Sequence, residues 1–349
     1  MTEFVAEKSN LCTKIAERLG ELTLRRVAKE AVDNAQLNHP FIGEGKSIRS
    51  LQDTELMDGD SALVIAAGPS LHRFDTARLI KESGFKGILV ATESSMAWCL
   101  RNGIVPHLTV TLDPHPKRIV RWFGDPDLSK TDLDVDDYFA RQDFDPIFRE
   151  KEIEFNRELL SLVDGHGPQM KIAVASCASH TVIRRVMESK MDAYWWNPMY
   201  DDTDIGDGLT RRLYELNRLP CLNAGGNVGT ACWVFAHAVL KKKKIGILGM
   251  DLGYYDDTTY RETQKYYELI DLVGEDRLDE VFIHIHNPYV NRTFFSEPTF
   301  VWYRDAFLQM AEWANEDGVQ TYNCTGGGIL FGDSIKFTSF EDFLAATRC

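Results

Sequence analysis

The sequence lacks a long hydrophobic run, a paired cysteine spacing and the apolar core of a signal peptide. None of its apolar runs approaches the roughly 18 residues that a membrane-spanning helix needs. The N-terminal stretch from Met1 to Asn10 is polar and acidic. The seven cysteines are scattered, and their odd number indicates reduced thiols rather than a disulfide framework. We therefore expect a cytoplasmic protein without a membrane span.

The chain also lacks the excess of positive charge that a general nucleic-acid-binding surface requires. Its net charge is −14 at pH 7, so we expect no nucleic-acid partner. Hydrophobic residues make up 44% of the sequence and charged residues 26%, as in ordinary globular proteins. A length of 349 residues fits one large α/β domain with an appendage, or two domains.

The most informative stretch spans residues 61–71. Residues 63–66 form an apolar run that is too short for a helix and ends just before Gly68, Pro69 and Ser70. This pattern predicts a strand buried on both faces, a tight turn and the start of a helix. Backbone N–H groups at such a helix start attract anions, which indicates a phosphate site. A plain strand-to-helix turn explains the same residues equally well.

After this stretch, short apolar runs alternate with helical patterns. The alternation predicts right-handed βαβ units and an α/β fold with a Rossmann-like, mainly parallel sheet flanked by helices. We interpret residues 1–58 as a helical N-terminal appendage and residues 59–349 as the nucleotide-binding catalytic domain. An acidic segment near residues 124–168 interrupts the alternation and is interpreted as a partly helical insertion that could cover the site.

Three local expectations complete this outline. We interpret residues 36–60 as a polar connector that leads into the first strand, and residues 254–298 as an irregular aromatic segment. The sequence from Thr338 to Glu341 fits a capping box at the start of the last helix.

Three of the predicted strands end at an acidic residue: Glu93, Asp113 and Asp251. Ligands of open parallel sheets bind beyond the carboxyl ends of the strands. One acid there is ordinarily a helix cap, but three together indicate contacts with a hydroxyl, a ribose or a metal ion.

A second glycine-rich run opens a helix that is apolar almost throughout and is therefore expected to be buried. Its central residues are Gly226, Asn227, Gly229 and Thr230. Small residues at a helix start let a ligand approach the backbone closely. Close packing of the helix on the sheet is the structural alternative.

Two histidines in the aromatic segment, His284 and His286, alternate with apolar residues and so occupy one face of a short predicted strand. No third ligand lies nearby, which disfavours zinc. A base, a hydrogen-bond donor or a satisfied structural histidine are the alternatives. The same segment contains the tyrosines Tyr254, Tyr255 and Tyr260.

The order and spacing of these motifs resemble the motility-associated factor glycosyltransferases, which share a domain with the archaeal 6-hydroxymethyl-dihydropterin diphosphokinases. The resemblance extends from Ala62 to about Gly332. It rests on the motifs at residues 65–71, 102–107 with Asp113-Pro114, 226–229, 249–254 and 322–327.

The layout is also similar to that of the bacterial sialyltransferases that use CMP-sialic acid. This similarity implies that the turn at residues 68–70 faces the nucleotide, with Glu93 in place of an Asn that contacts it. It further implies roles near the nucleotide for Gly229, Thr230, Asp251 and Tyr254. The chain departs from these enzymes in having no histidine just before the late helix expected at residue 301, where they hold their general base.

The resemblance implies transfer of a nonulosonic, sialic-acid-like sugar from a CMP-activated donor to a protein Ser or Thr, such as in a flagellin. The expected base is Asp251 or Asp113 rather than His286, which lies too far upstream to align. An alternative is a diphosphokinase that moves diphosphate from ATP to a pterin alcohol, with Mg²⁺ held by Asp113 and Asp251. A third hypothesis is that the chain is a non-catalytic nucleotide-binding relative of these enzymes.

Overall fold

A computed structural model describes residues 10–115, 120–129 and 146–348. Ten strands within these ranges form one sheet, and two more form a hairpin. The sheet strands are β1 (Lys46–Ser47), β2 (Ser61–Ile65), β3 (Ile88–Thr92), β4 (Leu108–Thr111), β5 (Lys171–Ala175), β6 (Asp192–Pro198), β7 (Cys221–Leu222), β8 (Lys244–Leu248), β11 (Gln320–Asn323) and β12 (Lys336–Phe337). The hairpin strands are β9 (Ile283–Asn287) and β10 (Arg292–Ser296).

Helices connect the strands and cover both faces of the sheet. In chain order they are α1 (Asn10–Asn38), α2 (Ser70–Arg73), α3 (Thr76–Glu82), α4 (Glu93–Arg101), α5 (Pro146–His166), α6 (His180–Glu188), α7 (Leu209–Asn217), α8 (Val228–Val234), α9 (Tyr266–Val273), α10 (Pro298–Glu316) and α11 (Phe340–Thr347). Helix α8 continues into a π-helical turn, Phe235–Val239. No helix within the described ranges is long and apolar enough to span a bilayer.

The strand order places a topological switch point between β2 and β8. The order is β1-β6-β5-β4-β3-β2-β8-β11-β12, with β7 paired to β6, and each described pair in this sheet is parallel. The chain leaves β2 towards β3 and leaves β8 in the opposite direction, towards β11. Ligands of open parallel sheets bind beyond the carboxyl ends of the strands next to such a point. The predicted α/β fold with a mainly parallel sheet is confirmed.

The core forms because the central strands are apolar on both faces. Every residue of β2 is buried, as the unbroken apolar run predicted. On one face, α8 contacts β2, β3 and β4. Large aromatic side chains fill the remaining space, and the Trp196 and Phe235 rings meet edge to face with centroids 5.1 Å apart.

The N-terminal segment is more closely joined to the sheet than the sequence indicated. The polar connector predicted at residues 36–60 forms 3-10 turns and adds β1 beside β6. The fully buried Asn38 side chain donates to the carbonyl oxygens of Ser176 and Ala178 at 2.9 and 2.8 Å. Hydrogen bonds from a side-chain amide to backbone carbonyl groups thus fix this polar segment to the sheet, and the pattern of hydrophobic residues gives no sign of such bonds. The domain boundary at residue 58 stays a prediction.

Two other local predictions are revised, those for the aromatic segment and for the capping box. Most of the described insertion is the helix α5, which lies against α4, while residues 130–145 are outside the described ranges. The segment 254–298 contains α9 and the β9–β10 hairpin instead of being irregular. The capping-box prediction was one residue off, because Ser339 caps α11 by accepting from the Asp342 N–H at 3.0 Å.

Candidate functional site

The turn after β2 packs directly on the segment after β8. The Gly68 N–H donates to the Gly249 carbonyl oxygen at 2.7 Å. A Cβ atom on Gly68 would collide with that carbonyl and with the Asp251 carboxylate. Glycine is therefore required here by close approach of two backbone segments. The two segments that the sequence singled out separately meet at the switch point.

Asp251 accepts hydrogen bonds from this turn. The Ser70 hydroxyl donates to Asp251 Oδ2 at 2.8 Å, the Ser70 N–H lies 3.3 Å from the same oxygen, and the Tyr255 hydroxyl lies 3.4 Å from Oδ1. Asp251 is 1% exposed, and burial raises its pKa to about 6 although the Ser70 bonds act in the opposite direction. The anion held by the turn is thus an internal carboxylate. Helix α2 has only four residues, so its dipole adds little.

Glu93 and Asp113 form a second acidic group, at the ends of β3 and β4. Burial raises the pKa of Glu93 to about 8, and the charge of Asp113 adds to the shift. Glu93 is 2% exposed, and its Oε2 atom has no hydrogen-bond partner among the described residues. Asp113 accepts from the His115 N–H at 2.9 Å. At neutral pH, therefore, Glu93 is mainly a neutral acid, able to donate as well as accept a hydrogen bond.

The glycine-rich run has a clear structural reason for each central residue. Asn227 caps α8, accepting from the Thr230 N–H and donating to the Thr230 hydroxyl, both at 2.9 Å. Gly226 has a positive φ of 84°, and a Cβ there would collide with the side chains of Trp302 and Tyr303. A Cβ on Gly229 would come within 3.0 Å of the Met250 sulfur. The packing alternative thus accounts for these residues, and their nucleotide role stays a prediction.

Two of the predicted residues lie on the hairpin side of the site. The Tyr254 hydroxyl accepts from the Gln264 N–H at 2.9 Å, and its ring stacks on Phe295 with centroids 5.4 Å apart. His286 is exposed on β9, and its Nδ1 lies 3.4 Å from the Thr293 hydroxyl on β10. The predicted strand face with His284 and His286 is therefore present, but it faces solvent. The structure does not gather Asp251, Asp113 and His286 into one group.

Sequence reasoning missed three charged residues around Asp251. Arg73 ends α2, Arg292 begins β10, and Glu297 lies fully buried where β10 leads into α10. The Ser296 hydroxyl donates to the Leu252 carbonyl oxygen at 2.7 Å, which ties the Glu297 junction to the segment after Asp251. Only the pair Glu297-Pro298 carried a sequence signal, because Pro favours the first helical position.

The described residues contain no group of three or more His, Cys, Asp or Glu side chains that could hold a metal ion. The two predicted Mg²⁺ ligands have different partners, since Asp251 bonds Ser70 while Asp113 bonds the His115 backbone. Five cysteines are free thiols: Cys99, Cys177, Cys221, Cys232 and Cys324.

The parallel sheet with its switch point defines a Rossmann-like α/β protein. The buried acids at the carboxyl ends of its strands mark the candidate ligand site. Residues 33–123 match the family model of the MptE-like 6-hydroxymethylpterin diphosphokinases, which confirms the predicted superfamily resemblance over this part of the chain. The match includes the turn at residues 68–70, Glu93 and Asp113.

Among solved structures, the chain is similar to the MAf glycosyltransferase from Magnetospirillum magneticum AMB-1. The identity is 14% and the TM-score 0.48, with 83% of this chain and 36% of the other covered. This chain therefore spans about a third of the length of that protein, and the likeness is too distant to assign an activity. No curated protein matches the chain in sequence.

Proposed function

We propose that this chain is a cytoplasmic glycosyltransferase that moves a nonulosonic, sialic-acid-like sugar from a CMP-activated donor to a protein Ser or Thr, such as in a flagellin. The observation that carries the proposal is the bond between Asp251 and Ser70 across the switch point. It holds a buried acid with a pKa of about 6 at the switch point, and ligands of this architecture bind next to such a point. The sequence motifs shared with CMP-sugar enzymes support the choice of donor.

The proposed chemistry needs a proton acceptor and a site for the leaving phosphate. The acceptor hydroxyl oxygen attacks the anomeric carbon, the bond from that carbon to the CMP phosphate breaks, and CMP leaves with the electron pair. Asp251 is mostly ionised at pH 7 with a pKa of about 6, so it is able to take the hydroxyl proton. Asp113 is the second choice, and the exposed His286 the third.

The nucleotide would occupy the remaining strand ends. Glu93, as a neutral acid, would donate a hydrogen bond to the nucleotide, and the start of α8 at Gly229 and Thr230 would lie near the phosphate. Gly68, Pro69 and Tyr254 would form the walls on either side of Asp251.

The family match at residues 33–123 favours a second candidate, a diphosphokinase acting on a pterin alcohol with ATP. In that enzyme Asp113 and Asp251 would hold Mg²⁺, which prefers carboxylate and phosphate oxygens. We rank it second because the two carboxylates are engaged by different neighbours, Ser70 and the His115 backbone.

The test is CMP release from CMP-sialate, CMP-pseudaminate and CMP-legionaminate with flagellin as acceptor, in the presence of EDTA. The proposal predicts turnover in the wild type and a loss of at least about a hundredfold in Asp251→Asn. The exposed Asp333→Asn is the matched control and should keep full activity. Turnover of ATP and a pterin alcohol only with Mg²⁺ would establish the second candidate instead. Metal-free CMP binding without turnover of any donor would indicate a non-catalytic relative.

A further inference from the structure

Two arginines contact one tyrosine ring beside the buried Asp251. The guanidinium carbon of Arg73 lies 4.0 Å from the centre of the Tyr255 ring, and that of Arg292 lies 5.1 Å from it. The same tyrosine directs its hydroxyl at Asp251. Tyr255 is only 2% exposed, whereas the Arg73 and Arg292 side chains are 33% and 43% exposed. The arginines therefore form the solvent-facing edge of the Asp251 site.

Both arginines are engaged by the acidic turn that follows the tyrosine. Arg73 holds Asp257 with two parallel bonds, one of them 2.8 Å from Nη1 to Oδ2, and Arg292 holds Asp256. The turn is closed by the Thr258 N–H, which donates to the Tyr255 carbonyl oxygen at 3.0 Å. A paired donation from one guanidinium to two oxygens is also the way in which arginine recognises a phosphate or a substrate carboxylate.

The acidic turn is open to competition from solvent and from other anions. The Asp256 and Asp257 side chains are 67% and 58% exposed, and the single contact between Arg292 and Asp256 is of the exposed kind that contributes little to stability. The two-bond pair between Arg73 and Asp257 is the stronger of the two. The two arginines are anchored more firmly, since both pack on a buried ring. An incoming oxyanion would exchange one set of carboxylate oxygens for another while the guanidinium groups stay in position.

We propose that Arg73, Arg292 and the Tyr255 ring form an oxyanion-binding site at the solvent-facing edge of the Asp251 site, and that the Asp256-Asp257 turn is an internal competitor which the substrate displaces. The oxyanion is a phosphate or a carboxylate carried by the substrate. The inference rests on the proposed function for the identity of that substrate, but the anion site itself does not depend on sugar transfer.

The test measures binding of pyrophosphate by calorimetry at low salt. Arg73→Gln and Arg292→Gln should each weaken binding by about tenfold, because each removes a charge-assisted contact. Asp256→Asn with Asp257→Asn should strengthen it by about threefold, because the competitor is lost. Arg277→Gln, which breaks the exposed pair with Glu280, is the matched control and should bind as the wild type does.

The source of the oxyanion is identified by repeating the titrations with CMP and with free N-acetylneuraminate. A loss confined to CMP in the arginine variants assigns the site to the nucleotide phosphate, and a loss confined to N-acetylneuraminate assigns it to the sugar carboxylate. Arginine variants that are folded by thermal unfolding yet bind pyrophosphate like the wild type would overturn the proposal, as would aspartate variants with unchanged affinity. Arginine-dependent binding without sugar transfer would leave this site standing and reject only the proposed function.

Discussion

The Ser70 hydroxyl donates a 2.8 Å hydrogen bond to the Asp251 carboxylate across the switch point between β2 and β8. The two residues are separated by 181 positions in the sequence and are both almost fully buried. This bond joins the first motif of the chain to its most central acid. It also means that the N–H and the hydroxyl of Ser70 are both directed at the Asp251 carboxylate and not at a bound ligand.

The coupling between these two residues is measurable by a double-mutant cycle. Ser70→Ala removes a bond that favours the charged form, so the pKa of Asp251 should rise further and the free energy of unfolding should fall by about 2 kcal/mol at pH 7. In an Asp251→Asn background the same change should cost about 1 kcal/mol less. Chemical denaturation of the four proteins gives the coupling, and strict additivity would contradict the bond.

Gly68 provides a steric test of the same contact. Gly68→Ala places a Cβ against the Asp251 carboxylate and the Gly249 carbonyl, and we expect a loss of about 2 kcal/mol or more in the free energy of unfolding. Gly43→Ala is the matched control, because a Cβ there meets nothing within 4 Å and its φ is not positive. Equal stabilities of the two variants in urea would argue against the close approach.

The raised pKa of Glu93 predicts a distinctive pH dependence of the free energy of unfolding. The unfolded chain releases its proton near pH 4.5, whereas the folded protein retains it to about pH 8. Unfolding therefore releases a proton between these values, and stability falls as the pH rises through this window. Relative to Glu93→Gln, the wild type should lose about 4 kcal/mol from pH 4.5 to pH 8.

The control for this titration is the exposed Glu312→Gln, whose stability should follow that of the wild type across the same pH range. Parallel curves for Glu93→Gln and the wild type would show that Glu93 is not held as a neutral acid.

Substitutions of Asn227, which caps α8, test whether this residue stabilises the helix or is available to bind a ligand. Asn227→Ala should cost about 1 kcal/mol of stability, whereas Asn227→Asp keeps an oxygen acceptor for the Thr230 N–H and should cost less. Thermal unfolding checks this order. If both variants retain wild-type stability, the cap contributes nothing and the residue is available for a ligand.

The fold class could be predicted from the sequence because the signals for strands and helices are local. The apolar run at residues 63–66 predicted a buried strand, and the structure places β2 there in the parallel sheet. Strand order is not local, so the pairing of β2 with β8, and with it the switch point, could not be read from the pattern.

The site was only partly predictable for the same physical reason. The acids at strand ends were identified because their positions follow from the pattern of strands. Their partners depend on packing between distant segments, which is why the Ser70–Asp251 bond was not foreseen and Arg73 and Arg292 were missed. The Asn38 amide, which ties the N-terminal helix to the sheet, belongs to the same group of contacts.

The central claim is that a CMP-activated donor binds at the switch point between β2 and β8, and a co-crystal structure with CMP in EDTA tests it most directly. We predict that the phosphate lies within hydrogen-bond distance of the start of α8 or of Arg73 and Arg292, with the nucleoside along the strand ends that carry Glu93 and Asp251. CMP bound at another place on the chain, with the surroundings of Ser70 and Asp251 unchanged, would contradict the account.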